Sequence, residues 1–321
     1  MDDVLLARGM ALGDAHLRNL DFLQHYDDGI ARWSLDRREQ RFLDQIVFKI
    51  PQDRMLWCNR QVRQNGIKAI IDAMLEDYVK APFQPRYFLT FAWDPGFTWE
   101  RKPEIDCVSL KNIINHRIRR LGLDGIGVVE IDVLKNITGE PGRRLMAHAH
   151  CYCWTAASDF DAERAEKELN RCRGLRNSLD APAVKIQTVS LYEISISRLA
   201  GYMFKWPSRA KNRVPLRRWP GHYAFRDAKL PKQSATRLVE ILSHMEFGDQ
   251  LFAIGGGAML ATDIRRRFRD YMAGLRGRRI AMPDDDSIFR IWKNIRERNG
   301  SQLLEPCRII TRASQRASRS E

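Results

Sequence analysis

The sequence has no long apolar run, since nowhere do about 18 consecutive residues form the stretch that a membrane-spanning helix needs. It also lacks the basic start and small-residue cleavage site of a secretory signal peptide, because Met1, Asp2 and Asp3 open an acidic segment. These absences argue against a membrane partner. We therefore expect a cytoplasmic protein.

Cysteine is scarce, and its six occurrences include no Cys-x-x-Cys pair. Neither a zinc ribbon nor a disulfide framework is expected from such scattered positions. We predict reduced and mostly buried thiols at Cys58, Cys107, Cys151, Cys153, Cys172 and Cys307.

A phosphate-binding loop is also missing. Residues 253–258 read Ala-Ile-Gly-Gly-Gly-Ala, which is glycine-rich but lacks the Lys-Ser/Thr pair that such a loop requires. No nucleotide site is expected there.

Positive charge, by contrast, is abundant. The chain carries 54 Lys and Arg against 40 Asp and Glu, a formal net charge of +14. An excess of this size favours a polyanionic partner, because each neutralised phosphate releases counterions. A basic surface without such a partner is the alternative, and charge alone does not decide between them.

The texture of the chain predicts four regions. Residues 1–80 have helical-period apolar positions, and Pro82 and Pro85 then break the pattern. The predicted regions are a helical N-terminal region at 1–80, a domain of alternating strands and helices at 81–207, a basic and mainly helical region at 208–307, and a disordered Ser- and Arg-rich tail at 308–321.

The domain at 81–207 has the predicted order β-α-β-β-α-β-α. The predicted strands lie at 87–93, 126–134, 145–154 and 183–191, and the helices at about 110–121, 159–172 and 195–206. This order suits an α+β fold in which an antiparallel sheet packs helices on one side, on a ferredoxin-like plan.

The strand at 145–154 carries the strongest local signal. Side chains alternate between the two faces of a strand, so His148 and His150 share one face while Cys151 and Cys153 point to the other. Two histidines adjacent on one strand face can direct ring nitrogens at one ion, and the cysteines cannot join them.

The preceding strand offers a carboxylate opposite these histidines. If the turn centres on Gly139, Glu130 pairs with His148; if it centres on Glu140, Asp132 does so instead. Two imidazoles and one carboxylate leave positions open for water and phosphate oxygen, which suits Mg²⁺ or Mn²⁺. The alternative is a pair of packed, hydrogen-bonded histidines without a metal.

The helix at 195–206 divides into two faces. Ile196, Leu199 and Met203 form an apolar stripe, whereas Arg198, Tyr202 and Lys205 fall on the opposite, polar face. A phenol is a poor nucleophile at its ordinary pKa of about 10, and a neighbouring ammonium would favour its phenolate. A half-packed surface Tyr beside a solvated Lys is the alternative.

Taken in order, these elements resemble the HUH endonuclease superfamily, and within it the rolling-circle replication initiators of plasmids and single-stranded phages. The strand Phe88-Leu-Thr-Phe-Ala-Trp93 is similar to the family's Phe-Leu-Thr-Leu-Thr motif. Glu130 with His148-Ala-His150 resembles its metal-binding strands, and Tyr202-Met-Phe-Lys205 matches its Tyr-x-x-Lys motif. The resemblance covers about residues 86–207.

The resemblance implies a role for each matching residue. His148, His150 and Glu130 would bind the metal, Tyr202 would be the nucleophile, and Lys205 would position phosphate or activate the tyrosine. The segment between Glu130 and His148 is longer than usual in the family, which leaves Asp132 as a rival ligand. Ala149 is small where the family usually has a bulky apolar residue.

The resemblance further implies a single catalytic tyrosine. Some initiators use two tyrosines one helical turn apart, but Arg198 stands four residues before Tyr202, and the next tyrosine upstream is Tyr192. No helicase segment with a phosphate-binding loop follows, so a host helicase and polymerase would be partners.

The expected activity is metal-dependent nicking and joining of single-stranded DNA or an origin hairpin through a 5′-phosphotyrosine, which would initiate rolling-circle replication. The candidate DNA-binding residues are Arg198, Arg209, Lys211, Arg213, Arg217 and Arg218. A solvated basic loop at 209–218 is the alternative there. For the whole protein, the alternatives are a relaxase or transposase with the same chemistry, or a non-catalytic DNA-binding or copy-control protein.

Overall fold

The structure of the protein is a computed structural model. This structure describes residues 2–136, 143–157, 159–179, 181–215, 223–299 and 305–311.

Helices make up most of the first 80 residues, as the sequence pattern predicted, and four more lie between residues 232 and 298. The helices are α1 (Asp2–Ile30), α2 (Arg37–Phe48), α3 (Arg60–Lys80), α4 (Cys107–Arg120), α5 (Ala162–Asn170), α6 (Glu193–Met203), α7 (Lys232–Ser243), α8 (Phe247–Gln250), α9 (Ala258–Ala273) and α10 (Asp285–Arg298). Even the 29-residue α1 is too polar to cross a bilayer, and no other helix of the described residues could do so.

Strands occupy the middle of the chain and three short outlying positions. The strands are β1 (Ile50–Pro51), β2 (Arg86–Phe91), β3 (Phe97–Trp99), β4 (Glu104–Asp106), β5 (Asp124–Lys135), β6 (Arg143–Trp154), β7 (Val184–Thr188), β8 (Arg209–Pro215), β9 (Tyr223–Lys229), β10 (Leu251–Ile254), β11 (Arg279–Ile280) and β12 (Arg308–Ile310).

The main sheet has the order β7-β2-β6-β5-β8-β9, with β10 also paired to β5 and β3 to β6. The four strands β7, β2, β6 and β5 are antiparallel neighbours, as predicted. The sheet as a whole is mixed, because β8 runs parallel to β5 after the chain crosses over through α6. The α+β class is therefore confirmed, and the expectation of an entirely antiparallel sheet is corrected.

The outer edge of β5 is shared between two strands. Its residues 125–128 pair with β10, and its residues 133–135 pair with β8. Among the described residues, 129–132 thus have no strand partner on that edge. The gap lies at the two carboxylates, Glu130 and Asp132.

Helices cover both faces of the sheet, which explains why β5 and β6 are buried almost throughout. On the face that carries the histidines, Asp77 of α3 pairs with Arg86 of β2. On the other face, the ring of Tyr87 packs on Phe160, just before α5. The prediction that helices pack on one side is therefore wrong for the whole molecule, because the N-terminal helices cover the second face.

The N-terminal region is part of the same core as the sheet. Helix α1 packs against α3, α6 and α7, and Phe22 stacks on Trp206 with ring centres 4.1 Å apart. One continuous cluster of buried apolar residues extends from Ala11 to Ile295. The region boundaries predicted at residues 80 and 207 stay a prediction, and no break in the apolar core marks them.

The C-terminal part differs from the sequence-based expectations in two places. Residues 209–215 form strand β8, in a hairpin with β9, so the alternative of a basic loop does not hold for them. The tail was predicted to be disordered from Arg308, yet Arg308–Ile310 forms β12 and pairs with β4. Residues 312–321 lie outside the described residues.

The glycine run has a packing role. A side chain at Gly257 would place its Cβ 1.7 Å from the carbonyl oxygen of Gly125, so only glycine fits between this turn and β5. The backbone N–H of Gly256 donates to the Asp124 carboxylate at 2.6 Å. The run therefore closes β10 onto β5.

Candidate active site

The register of β5 and β6 brings the predicted metal ligands together. Glu130 pairs directly with His148, and Val128 pairs with His150. This is the register predicted for a turn centred on Gly139, although the turn itself, at 137–142, lies outside the described residues. Both histidines and Glu130 are almost completely buried.

The three side chains converge on one point. His148 Nε2 and His150 Nε2 lie 3.1 Å apart, and Glu130 Oε2 lies 3.7 Å from the first and 3.5 Å from the second. A point equidistant from the corners of a triangle with these sides lies about 2.0 Å from each atom. Metal–nitrogen and metal–oxygen bonds measure about 2.0–2.2 Å. The cluster could therefore hold a metal ion.

The outer nitrogens of both rings are held by neighbouring groups. His148 Nδ1 lies 3.3 Å from the carbonyl oxygen of Met146, and since a carbonyl only accepts, Nδ1 carries the proton. His150 Nδ1 lies 3.1 Å from the hydroxyl of Thr90. Hydrogen bonds of this kind orient metal-binding histidines and leave Nε2 free for the ion.

One buried atom of the cluster lacks a hydrogen bond. Glu130 Oε2, which faces both histidines, has no hydrogen-bond partner among the described residues. A buried carboxylate oxygen without a partner is costly unless a cation neutralises it. A bound metal ion would supply that cation.

Burial sets the protonation of the cluster. It lowers the pKa of His148 and of His150, so both rings are neutral near pH 7. Burial raises the pKa of Glu130, although the charges of Lys205, Arg63 and Arg18 oppose the rise. Neutral imidazoles are the form that binds metals.

Asp132 lies at the edge of the cluster. Its Oδ2 is 3.8 Å from His148 Nε2, and it lines the cleft in front of the site together with Tyr202 and Lys205. Glu130 Oε2 lies within 4 Å of Nε2 of both histidines, whereas Asp132 Oδ2 comes that near only to His148. The geometry thus favours Glu130 as the ligand.

Tyr202 stands beside the histidines. Its ring centre lies 4.9 Å from that of His150 and 6.0 Å from that of Phe88, and the side chain is half-buried. Helix α6 places it there by burying Ile196 and Met203 on its other face, as the periodicity predicted, whereas the third residue of the predicted stripe, Leu199, is only partly buried.

Lys205 does not lie on the helix, contrary to the prediction. Helix α6 ends at Met203, and the backbone N–H of Lys205 donates to the carbonyl oxygen of Tyr202 at 3.3 Å. The chain turns so that Lys205 Nζ lies 3.9 Å from the centre of the Tyr202 ring. Burial would lower the pKa of Lys205, but the charges of Asp132 and Glu130 outweigh it and raise that pKa.

Two residues to which the sequence assigned no role in the site support this arrangement. Arg63 of α3 lies between two indole rings, with Cζ 4.4 Å from the ring centre of Trp57 and 3.8 Å from that of Trp206. Its Nη1 donates to the carbonyl oxygen of Lys205 at 3.1 Å. An arginine on the apolar face of a predicted helix was a signal that could have identified it. Thr90 pairs with His150 across β2 and β6.

A cleft of about 430 Å³ opens in front of the cluster. Its walls come from α1, from the end of α6 and from the β8–β9 hairpin, and they include Arg18, Asp132, Tyr202, Lys205, Arg209 and Lys211. A cleft of this size can admit a nucleotide-sized ligand, since ligand pockets measure about 300–1,000 Å³.

The predicted DNA-binding residues fall in different places. Arg198 is exposed on α6, one turn before Tyr202, and Arg209 is exposed at the start of β8. Lys211 lines the cleft and forms an ion pair with Asp227. Arg213 is half-buried on β8. Arg217 and Arg218 lie outside the described residues.

Comparison of the chain with protein-family models, with curated proteins and with solved structures gives no match. The interpretation of the site therefore rests on its own residues and their geometry.

Proposed function

We propose that this protein is a metal-dependent endonuclease of the HUH type, which nicks and rejoins single-stranded DNA through a covalent bond to Tyr202. The observation that carries the proposal is the position of Tyr202, 4.9 Å from the His150 ring and 3.9 Å from the Lys205 ammonium. A nucleophile and a cation in one cleft, beside a buried candidate metal site, are the parts that phosphoryl transfer needs.

The order of the four antiparallel strands also supports the proposal. Helix α4 connects β2 to β5 and α5 connects β6 to β7, and each connection skips one strand of the sheet. Crossovers of this kind characterise the split β-α-β units of a ferredoxin-like sheet. The resemblance implies such a core, with the histidines on a central strand.

The chemistry assigned to the residues is an in-line displacement at one phosphate. The Tyr202 oxygen forms a bond to phosphorus, its proton passes to solvent, and the bond from phosphorus to the 3′-oxygen breaks. The 3′-oxygen takes up a proton and becomes a free hydroxyl, while the 5′-phosphate remains on Tyr202. Because the phosphodiester energy is kept in this bond, attack by a 3′-hydroxyl can reverse the step.

Each neighbour of Tyr202 has a part in this step. The Lys205 ammonium, 3.9 Å from the ring centre of Tyr202, stabilises the negative charge that develops on phosphate. Glu130, His148 and His150 would hold Mg²⁺ or Mn²⁺, which when bound polarises a phosphate oxygen. Thr90 and the Met146 carbonyl keep the two rings oriented towards that ion.

The proposal is tested by trapping the covalent adduct. The protein is incubated with single-stranded DNA of random sequence and Mg²⁺ or Mn²⁺, and adducts that survive denaturation are digested and analysed by mass spectrometry. We expect a phosphonucleotide on the peptide that contains Tyr202. Sequencing the attached DNA would give the recognised site.

Two variants serve as a matched pair. Tyr202→Phe should lose the adduct, because it removes only the nucleophilic oxygen, whereas Tyr192→Phe should keep it. Tyr192 is a good control because it lies ten residues upstream and its side chain is 70% exposed. An adduct that persisted in Tyr202→Phe would disprove the assignment of the nucleophile.

In the cell, the free 3′-hydroxyl would prime rolling-circle replication of a plasmid or phage, with a host helicase and polymerase. This role is proposed from the resemblance, and a relaxase or a transposase would use the same step. The position of the mapped cleavage site distinguishes these roles. A replication initiator must cleave within a replication origin, and replication from that origin must then depend on Tyr202.

A further inference from the structure

Two cavities meet at Tyr202. The cleft of about 430 Å³ lies on one side, and a second cavity of about 310 Å³ lies on the other, between α1 and α6. Of the described residues, Arg18 and Tyr202 alone line both. A ligand that occupied both cavities would therefore have to pass these two side chains.

Arg18 reaches this position because of the way α1 packs. Ala11 and Ala15 are buried against the neighbouring helices, and Arg18 follows them at helical spacing on the same side. Its side chain is half-buried. Among the described residues it forms no hydrogen bond and no ion pair, although its charge acts on Glu130.

The charges around the two cavities favour an anion. Arg198 joins Arg18 in the smaller cavity, and Lys205 and Arg209 join it in the larger one. Of the three acidic groups in the larger cavity, Asp227 is held by Lys211, Asp132 faces His148 and Asp21 lies 3.5 Å from His25. The smaller cavity has Asp14 beside its two arginines. Within the described part of the chain, Arg18 is thus a half-buried guanidinium that forms no ion pair with any of these carboxylates, beside the proposed nucleophile.

We propose that single-stranded nucleic acid passes through both cavities, one on each side of the scissile phosphate, and that Arg18 of α1 binds the phosphate group next to Tyr202. This inference rests on the proposed nicking function and adds to it a binding residue from the N-terminal helix. A guanidinium suits the task because it is always charged and can donate two parallel hydrogen bonds to phosphate.

The size of the cavities indicates a single strand. Each cavity is near the lower part of the range of ligand pockets, about 300–1,000 Å³, which suits a nucleotide unit. A base-paired helix is much wider than either cavity. The chain would therefore take an unpaired strand whose backbone crosses between α1 and α6.

The test measures binding separately from cleavage. In the Tyr202→Phe background, the affinity for a short fluorescent oligothymidylate is measured by anisotropy over a range of salt concentrations. Arg18→Ala should weaken binding about tenfold or more, as expected for the loss of a charge-assisted hydrogen bond. It should also make the slope of log K against log salt shallower by about 0.7, the value for one phosphate contact on a single strand. Arg18→Lys should keep the slope.

Arg164→Ala is the matched control, because Arg164 is an exposed arginine of α5 whose side chain is 77% accessible. It removes the same charge far from the cleft and should leave the slope unchanged. An unchanged slope in Arg18→Ala, or an equal change in Arg164→Ala, would overturn the inference.

A second pair of variants tests the smaller cavity. Ser195 lines it, whereas its neighbour Ile194 does not. Ser195→Trp should weaken binding of the same oligonucleotide by filling the cavity, and Ile194→Trp should not. Equal affinities would show that the strand does not enter this cavity.

The two hypotheses can fail separately. If the wild-type protein forms no adduct but Arg18→Ala still weakens oligonucleotide binding, the nicking function is disproved and the proposed binding path is supported. If Arg18→Ala forms the adduct at the wild-type rate and binds the oligonucleotide with wild-type affinity, the nicking function is supported and the role of Arg18 is disproved.

Discussion

Glu130 is a carboxylate in a buried position where its charge is poorly compensated. One of its carboxylate oxygens lies in a buried position without a hydrogen bond, 3.5 Å from a neutral imidazole. Burial raises its pKa, so without a cation the carboxyl group tends to keep its proton. A divalent ion between Glu130, His148 and His150 would remove this cost.

The first prediction concerns the identity of the carboxylate ligand. Mn²⁺ binding is followed by the loss of the free-ion signal in electron paramagnetic resonance. Glu130→Gln should weaken binding by more than about 100-fold, because loss of an outer-shell partner alone typically costs about 10–100-fold. Asp132→Asn should weaken Mn²⁺ binding by no more than about 100-fold, since Asp132 approaches His148 but not His150.

The opposite order of the two affinities would make Asp132 the ligand. Glu166→Gln on α5 is the control, because Glu166 contacts Ile186 and Lys185 on the far side of β7. Its Mn²⁺ affinity should equal that of the wild type. Circular dichroism of each variant shows whether a loss of binding reflects a loss of folding.

At the scale of elements, the periodicity of the sequence predicted which face of a strand or helix each residue occupies. The β5–β6 register, with Glu130 opposite His148, is one of the two that the sequence left open, and the alternation of faces placed the cysteines away from the histidines. The faces of α6 followed from its apolar stripe. These features are local, so the sequence between neighbouring strands or turns is enough to determine them.

Features that depend on distant segments could not be predicted in this way. The end of α6 at Met203 is one example, because Lys205 is drawn out of the helix to a position where Arg63, 142 residues away, binds its carbonyl oxygen. The strand β8 is another, since a basic segment gains its strand conformation by pairing with β5 and β9. Burial of Arg63 between two indole rings has no local signature beyond a charged residue on an apolar face.

The second prediction follows from this contact. Arg63→Lys keeps a long basic side chain but loses the guanidinium that donates to the carbonyl oxygens of Trp57 and Lys205. A hydrogen bond to a charged group contributes about 1.5–3 kcal/mol, so misplacement of Lys205 should slow single-turnover adduct formation about tenfold to hundredfold. The affinity for oligothymidylate should change little, because Arg63 is buried and does not line the 430 Å³ cleft.

Tryptophan fluorescence supplies an independent readout, since the guanidinium packs on Trp57 and Trp206. The variant should change the emission without losing its cooperative thermal transition. A rate equal to that of the wild type, with altered fluorescence, would show that Arg63 has only a structural role.

At the scale of the molecule, residues 1–80, which carry no recognised motif, contribute side chains around the candidate site. Helix α1 contributes Arg18 to the cleft and Phe22 to the core, and α3 contributes Arg63. Residues 81–207 therefore carry the motifs, but their histidine-bearing face is covered by helices from the first 80 residues. A fragment limited to 81–207 would expose that apolar face to water.

The last prediction tests whether α1 belongs to the same cooperative unit as the sheet. Phe22 is fully buried and stacks on Trp206, which in turn packs on Arg63. Phe22→Ala should lower the free energy of unfolding by about 3–5 kcal/mol, the usual cost of removing a buried aromatic ring. Leu6→Ala, at a position 58% exposed on the same helix, should change it by less than about 0.5 kcal/mol.

Urea unfolding followed separately by circular dichroism and by tryptophan fluorescence should give one shared transition, shifted to lower urea in Phe22→Ala. Two separate transitions, of which Phe22→Ala moved only one, would instead make residues 1–80 an independent domain, and α1 would then be a detachable cover over Tyr202 rather than a fixed wall of its cleft.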